Sequence, residues 1–301
     1  DWDSLQQQPQ RYVLLGIPED VGVRANYGIS GSSKAWEACL LALCNIQHTP
    51  YCKGDSVVVL GEIDCDIQMH QASSMEPGEP HYAEKLGELV SQIDHDVAVT
   101  IEKIVAMGKT PIVIGGGHNN SFGNLKGTAT ALGHPVNCIN FDAHTDLREL
   151  EHRHSGNGFS FALHDKFLAK YFIFGLHRNY TPHNRYEYML NHEAIRFAML
   201  EDISVKNTTR FGDALDEAKK FCGDQAFGLE VDLDAIANMG SSAMSPSGFT
   251  LEQCRAFINY FKGNDNCKYI HLCEGAPNRE LFDKQVGKCL AYLVSDLISN
   301  D

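Results

Sequence analysis

The sequence predicts an α/β fold in which a mostly parallel sheet of about eight strands is covered by helices on both faces. Short apolar runs alternate with amphipathic stretches along the chain. Strands separated by helices form right-handed βαβ units, and such units build a parallel sheet. The 301 residues, 43% of them hydrophobic, can bury a large core. Because no repeat or linker interrupts the pattern, we expect one domain over residues 1–301.

Apolar runs rich in β-branched and aromatic residues are the predicted strands. In chain order they are residues 12–17, 56–60, 111–115, 136–141, 171–174, 197–200, 226–231 and 269–272. The clearest helix is predicted over residues 82–107, where apolar residues recur at spacings of three and four and Gly108 follows. Further helices are predicted at 34–46, 209–222, 251–261 and 279–298, and loops at 72–80 and 181–185.

The charge and the cysteine usage limit the function classes. The 39 acidic and 25 basic residues give a formal net charge of −14, which argues against nucleic acid or an anionic membrane as the main partner. The ten cysteines lie mostly in apolar stretches and form no CxxC pair, which favours buried, reduced thiols. No signal peptide is visible, and no run approaches the roughly 18 apolar residues of a membrane span. We expect a cytoplasmic protein with a small-molecule substrate.

Histidine and aspartate residues follow three of the predicted strands, at the edge where parallel sheets bind ligands. They are His118, Asp142, His144, Asp146, Asp232 and Asp234. Within the DAHTD motif at residues 142–146, alternate side chains point the same way, so three of these donors can converge. Each motif alone also fits a hydrogen-bonded or solvated loop. Their occurrence together at three strand ends favours a metal site.

The residue types favour manganese and two ions. Oxygen donors with a minority of imidazole and no thiolate suit Mn²⁺ or a similar octahedral ion better than structural zinc. Four carboxylates around one ion would repel one another, and two ions that share bridging carboxylates relieve that repulsion. Such a pair commonly holds a water acidified to hydroxide near neutral pH. We therefore expect two Mn²⁺ ions as cofactors.

Three motifs together resemble a known family. GGGH at residues 115–118, DAHTD at 142–146 and DLD at 232–234 are similar to the metal-binding blocks of the ureohydrolases, the arginase and agmatinase superfamily. The resemblance implies a three-layer α/β/α arginase-like fold and a homo-oligomer, either a trimer or a hexamer. It also implies how the six ligands divide between two ions. The pairs are His118 with Asp146 on one ion, His144 with Asp234 on the other, and Asp142 with Asp232 as bridges.

Two departures separate the chain from arginases. The SGN at residues 155–157 has the arginase spacing, yet Arg148 stands where arginases have Asn, and Phe159 stands where they have a proton-transferring His. A phenyl ring cannot shuttle protons. Several segments instead resemble formimidoylglutamases, which hydrolyse N-formimidoyl-L-glutamate to L-glutamate and formamide. They are GIPEDVGVRANYG, GGGHNNS, HSGNGFSFA, SSAMSPSGFT and CEGAP. Phe159 is either a core residue or a cover over the small formimino group.

The expected chemistry assigns catalytic roles. An amidinium carbon is a poor electrophile, so its hydrolysis needs a metal-held hydroxide and a fixed orientation. Glu274 follows the last predicted strand, where its carboxylate can hydrogen-bond to the amidinium N–H groups, although such a residue alone also fits a solvated turn. Asp146 is predicted to pass a proton to the departing amine. His144 completes the predicted catalytic set.

A substrate with two carboxylates also needs cations and hydrogen-bond donors. The loop that follows the DAHTD motif carries most of the candidates. The predicted substrate-binding residues are Arg148, Arg153, His154, Ser155, Asn157 and Asn119. Arginine suits bidentate carboxylate recognition, but each arginine alone also fits a salt bridge to Glu149 or Glu151. Asn120 and Arg178 are weaker candidates.

Two other functions remain open at this point. One is a related guanidino-acid ureohydrolase of the arginase, agmatinase or guanidinobutyrase type. The other is a non-catalytic, metal-stabilised relative, which the complete set of six ligands disfavours.

Overall fold

All strands of the computed structural model, which describes residues 2–299, join one parallel sheet. They are β1 (Tyr12–Gly16), β2 (Val57–Glu62), β3 (Thr110–Ile114), β4 (Val136–Phe141), β5 (Leu168–Leu176), β6 (Ile195–Met199), β7 (Phe227–Asp232) and β8 (Cys267–Cys273). Their order across the sheet is β2-β1-β3-β8-β7-β4-β5-β6. Every predicted strand is confirmed, with small changes at its ends.

Helices cover both faces of this sheet. They are α1 (Trp2–Gln7), α2 (Val21–Ala25), α3 (Ala35–Leu43), α4 (Asp66–Ser73), α5 (Tyr82–Ala106), α6 (Asn120–Leu132), α7 (Gly158–His164), α8 (His183–Leu190), α9 (Phe211–Cys222), α10 (Leu251–Phe261) and α11 (Gln285–Ile298). On one face, Ile112, Ile139 and Leu229 pack with α3, α9, α10 and α11. On the other face, Val113 packs with α5, and Cys138 packs with α6 and α7. The predicted three-layer α/β/α arrangement is confirmed.

The five predicted helices are present, but other helical segments were not predicted. The predicted helix at 279–298 begins only at Gln285, because Pro277–Arg279 forms a separate 3₁₀ turn. The predicted loop at 181–185 is wrong, since α8 begins at His183. Pro182 stands directly before it, with a φ of −61°, and proline is well tolerated where a helix begins. Across residues 2–299, no helix combines the length and the apolar character needed to cross a bilayer.

Helix α6 was not predicted because its glycines resemble helix breakers. In the structure, these glycines allow close packing between two helices. A Cβ atom at Gly123 would lie 2.7 Å from the Val97 side chain, and one at Gly127 would lie 2.3 Å from the Ala98 carbonyl oxygen. Both neighbours belong to α5, so only glycine lets the two helices approach this closely. The close packing of α6 on α5 holds the start of α6, which follows the GGGH segment, against the sheet.

Four adjacent strands carry the residues of interest. β3, β8, β7 and β4 are neighbours in that order, and being parallel they end at the same edge of the sheet. The segments after these strands therefore meet, as expected for ligand sites in parallel sheets.

Candidate metal centre and substrate cleft

The residues predicted to bind metal lie together at this edge. The loop after β3, the turn after β4 and the end of β7 supply them. The set is His118, Asp142, His144, Asp146, Asp232 and Asp234. They form two groups whose ligand atoms lie within 4.8 Å of one another, and Asp232 belongs to both.

His118 is the centre of the first group. Its Nδ1 atom lies 3.2 Å from Asp142 Oδ2, 2.9 Å from Asp146 Oδ2 and 3.2 Å from Asp232 Oδ2. The nitrogen is buried, yet within residues 2–299 no contact to it has hydrogen-bond geometry. The imidazole nitrogen and the three carboxylate oxygens that it faces are ligand atoms that suit a divalent cation.

His144 is the centre of the second group. Its Nδ1 atom lies 3.5 Å from Asp142 Oδ1 and 3.9 Å from Asp234 Oδ2. Asp142 thus turns one carboxylate oxygen toward each histidine. The same carboxylate accepts a hydrogen bond from the His144 backbone N–H at 2.7 Å, and Asp232 accepts one from Asp234 N–H at 2.7 Å. These local hydrogen bonds fix the orientation of the Asp142 and Asp232 carboxylates, which take part in the two groups.

Negative charge is concentrated in this site. Burial and neighbouring carboxylates raise the pKa of Asp232 and of Asp146, and burial raises the pKa of Asp234. Burial lowers the pKa of His144, but the hydrogen bond to Asp142 and the nearby aspartates outweigh this effect and raise it to about 10. Three buried carboxylates and a fourth that is 12% exposed are costly without cations. The donor set therefore fits two divalent ions.

Glu274 follows β8 and reaches the same place. Its Oε1 accepts the backbone N–H of His118 at 2.6 Å, while its buried Oε2 finds no hydrogen-bond partner in the described part of the chain. Burial and the charge of Asp234 raise the pKa of Glu274 to about 8. Glu274 and Asp146 both have positive φ, at 63° and 46°. Such backbone strain in non-glycine residues is concentrated at functional sites.

We call these six residues and Glu274 the floor of a cleft: His144, Asp146, Asp232, Asp234 and Glu274 line it, and His118 and Asp142 are buried against them. The cleft has a volume of about 570 Å³ and reaches from the floor to the protein surface. Its rim consists of Asn26, Arg148, Glu149, Glu151, Ser155, Tyr180 and Arg185. Acidic groups dominate the floor, whereas the rim carries two arginines and two glutamates.

Two of the predicted substrate-binding residues line the cleft. Arg148 donates to Asn26 Oδ1 at 2.5 Å and pairs with Glu151 Oε1 at 3.3 Å. The side chain of Arg148 is 55% exposed, so it can exchange these partners for a ligand. Ser155 lies beside it and accepts a hydrogen bond from the side-chain amide of Asn26 at 3.1 Å.

The other candidates on that loop do not line the cleft. Arg153 is buried and pairs with Asp94 of α5, with Nε 2.9 Å from Oδ2. Asn157 accepts the backbone N–H of His154 and is likewise buried. In the part of the chain that the structure describes, the ring of His154 bonds within the loop: Nε2 lies 3.1 Å from Glu151 Oε1, and Nδ1 accepts the Gly156 N–H. These side chains shape the loop from inside, so the structure gives no support to their predicted role as substrate ligands.

The asparagines after GGGH are also structural. Asn119 and Asn120 both donate to Glu19 Oε1, at 3.2 Å and 2.6 Å, and neither lines the cleft. Arg178 pairs with both carboxylate oxygens of Asp202 at the surface. The predicted roles of Asn119, Asn120 and Arg178 in substrate binding are therefore not supported.

Phe159 is a core residue. It is fully buried, stacks on Tyr171 with ring centroids 4.3 Å apart, and presents its ring to His118 at 5.2 Å. The Tyr171 hydroxyl accepts from Asn140 and donates to the Thr145 carbonyl. The aromatic pair therefore supports the DAHTD turn from below and does not cover the cleft.

Sequence reasoning missed Glu19, which is completely buried. Its carboxylate accepts the Gly117 N–H at 2.9 Å and the Val21 N–H at 2.7 Å, in addition to the asparagine amides. It therefore joins the loop that carries His118 to α2. The sequence signal was an acidic residue shortly after the first predicted strand. Arg185 was also missed, because its position was assigned to a loop.

Comparisons with known proteins agree with this geometry. A model of the arginase family matches residues 10–298. The formimidoylglutamases of Geobacillus sp. (strain WCH70) and Geobacillus kaustophilus (strain HTA426) are 26% and 28% identical, over 99% and 95% of this chain and 86% and 83% of theirs. A crystal structure of Trypanosoma cruzi formiminoglutamase with Mn²⁺ has a TM-score of 0.77 at 19% identity, covering 99% of this chain and 96% of that chain.

Proposed function

The chain belongs to the arginase family, and on that premise we propose that it is a manganese-dependent hydrolase that cleaves N-formimidoyl-L-glutamate to L-glutamate and formamide. The observation that carries the proposal is the placement of charged groups along the cleft. The floor holds the proposed metal ligands and Glu274, whose carboxylate suits an amidinium group. The rim holds Arg148 and Arg185, each paired with a glutamate, and these arginines suit substrate carboxylates. Formimidoylglutamate has one cationic end and two carboxylates.

We propose that the six floor ligands hold two Mn²⁺ ions. His118 and Asp146 would hold one ion, His144 and Asp234 the other, and Asp142 and Asp232 would bridge them. The position of Asp232 in both groups and the two-sided position of Asp142 support this division. When bound, such an ion pair would supply a hydroxide nucleophile near neutral pH for attack on the amidinium carbon.

Glu274 is proposed to orient the amidinium group. Its Oε2 is buried and has no hydrogen-bond partner in the described part of the chain, and the residue lines the cleft together with Asp234. A cationic amidinium would satisfy this oxygen through a charge-assisted N–H hydrogen bond. The bond would also lower the raised pKa of Glu274, because a positive neighbour favours the carboxylate.

Asp146 is proposed to transfer the proton that the departing amine requires. Its carboxylate lines the cleft, and Oδ2 lies 2.9 Å from His118 Nδ1. Protonation of the glutamate nitrogen would let the C–N bond break, so that L-glutamate and formamide leave.

The rim is proposed to bind the two carboxylates through Arg148 and Arg185. Arg185 contacts Glu149, and Arg148 contacts Glu151. Each arginine therefore already holds a carboxylate of the protein, and a substrate carboxylate would take its place. Arg148 stands where arginases have Asn, and its positive charge supports a substrate with one more negative charge.

We further propose a homo-oligomer, a trimer or hexamer, in the cytoplasm, without nucleic-acid or membrane partners, and a single domain over residues 1–301. The family resemblance supports the oligomer. The ten cysteines are free thiols, and most are buried, which supports a reducing compartment. Light scattering tests the assembly, and limited proteolysis tests the domain assignment.

The deciding experiment combines metal analysis with product assays on the purified protein loaded with Mn²⁺. We expect two ions per chain, and formamide released from formimidoylglutamate. Urea released from arginine, agmatine or guanidinobutyrate instead would establish the guanidino-acid alternative. Two bound ions without turnover of any of these substrates would favour the non-catalytic alternative.

A further inference from the structure

Two buried polar residues behind the floor have no role in the chemistry described so far. Glu230 lies in β7 and His271 in β8, and the two are paired in register. Both are completely buried in the centre of the sheet. A carboxylate in such a position is costly unless it is paired, so its retention calls for a physical reason.

The two residues form a bracket between the sheet and the loop after β3. His271 Nδ1 lies 2.6 Å from Glu230 Oε2, and His271 Nε2 lies 3.1 Å from the Gly115 carbonyl oxygen. Because a carbonyl only accepts hydrogen bonds, Nε2 of His271 carries a proton. Gly115 begins the positive-φ turn that leads to His118. Glu230 is therefore held in place relative to that loop.

The carboxylate of Glu230 faces the far side of the His118 ring. Oε2 lies 3.5 Å from His118 Nε2, and this buried nitrogen has no hydrogen-bond partner among residues 2–299. Nδ1 on the other side faces the floor aspartates. A neutral imidazole that offers Nδ1 to a metal carries its proton on Nε2. Glu230 is the carboxylate toward which that proton points.

We propose that Glu230, held by His271, is a positioning residue that fixes the ring and the proton of His118 and so keeps Nδ1 free to bind metal. Metal-binding histidines commonly donate their second N–H to a carboxylate, and loss of such a partner costs about 10–100-fold in metal affinity. Glu230 has no contact with His144 in the described structure, so the effect falls on one of the two ion sites. This inference rests on the proposed metal-dependent function but not on its substrate.

The variant Glu230→Gln tests the proposal. Because the same oxygen, Oε2, faces both His271 and His118, the variant places either a neutral amide oxygen or an amide NH₂ at that position. A neutral amide oxygen holds the Nε2 proton of His118 more weakly than a carboxylate does, and an NH₂ donor favours the ring with its proton on Nδ1, which cannot bind a metal. Calorimetric titration with Mn²⁺ should show about 10–100-fold weaker binding at one site and unchanged binding at the other. Comparison with His118→Asn and His144→Asn identifies which site is affected. In the electron paramagnetic resonance spectrum, the signal of a single Mn²⁺ should persist to higher metal concentrations before the coupled-pair signal appears.

Asp94→Asn is the matched control, because Asp94 is also a buried carboxylate in an ion pair. It should lower the thermal midpoint of the metal-free protein without changing either affinity. If Glu230→Gln does not fold, His271→Gln replaces it and should weaken the same site. Unchanged affinities in the folded variant, or an equal loss at both sites, overturn the positioning role. A wild-type protein that binds no Mn²⁺ overturns the proposed function as well, so the two failures are distinguishable.

Discussion

The floor and the rim of the cleft differ in how firmly the protein holds their side chains. On the floor, Asp232 and Asp142 are buried and fixed by backbone N–H groups of their own turns. On the rim, Glu149 is 76% exposed and Arg148 is 55% exposed, although Arg185, the partner of Glu149, is 15% exposed. Exposed ion pairs of this kind contribute little to stability, about 0–1 kcal/mol each.

This difference separates two tasks of a site. The floor keeps mutually repelling carboxylates in place at a cost to stability, and such a cost persists where it prepares a site for cations. The rim can exchange its partners with a ligand at little cost, because the ion pairs that would be broken are weak. Chemistry is therefore expected to depend on the floor and substrate selection on the rim.

The largest effect is expected on the floor. Asp146→Asn removes a charged ligand and the proposed proton carrier, so kcat should fall at least about 1,000-fold, which corresponds to several kcal/mol of transition-state stabilisation. Bound Mn²⁺ should also decrease. Formamide release and metal content measure the two effects.

Asp296→Asn is the matched control, because the Asp296 side chain is 13% exposed and that of Asp146 is 12% exposed. Asp296 pairs with Arg255 away from the cleft, so kcat should be unchanged. Near-normal turnover in Asp146→Asn would remove that residue from the mechanism.

The floor could be predicted from the sequence because its residues directly follow strands. Apolar runs locate strand ends, and a parallel sheet brings those ends to one edge. The loop below the rim could not be predicted in this way. Arg148 and Arg153 lie five positions apart and look alike in the sequence. What separates them is Asp94, a partner 59 positions away that draws Arg153 into the core.

The second prediction concerns the stability of that loop. Arg153→Met leaves Asp94 buried without a partner, which should lower the free energy of unfolding by about 3–5 kcal/mol. Because Arg153 lies outside the cleft, KM should change less than about twofold. Urea denaturation and steady-state kinetics on the folded protein measure both.

The double variant Asp94→Leu with Arg153→Met removes both charges and should recover most of the lost stability, since replacing a buried ion pair by apolar residues is often neutral. A large rise in KM with intact stability would restore Arg153 to substrate binding and contradict its assignment to the interior.

The third prediction concerns the rim. Arg148→Asn and Arg185→Gln should each raise KM for formimidoylglutamate about 10–100-fold, because each removes a charge-assisted hydrogen bond of about 1.5–3 kcal/mol. The value of kcat should change much less. Arg178→Gln is the control, since Arg178 is an exposed arginine paired with Asp202 outside the cleft. An unchanged KM in both rim variants would place the carboxylates elsewhere.

The smallest effect is a pH dependence beneath the rim. His154 accepts the Gly156 N–H at Nδ1, so its proton lies on Nε2, 3.1 Å from Glu151. Burial lowers the pKa of His154 to about 4. The unfolded chain therefore binds a proton below pH 6.5 that the folded chain does not, and the stability that neutral His154 contributes is present above pH 6.5 and lost as the pH falls toward 4.

In His154→Asn, the amide oxygen can still accept from Gly156, but this titration is absent. The acid-induced loss of unfolding free energy should thus be smaller than in the wild type, by less than about 1 kcal/mol at pH 6 and by about 2 kcal/mol at pH 4.5. Urea denaturation of the metal-free proteins across this range measures the difference, and parallel curves for the two proteins would show that His154 titrates freely and does not brace Glu151.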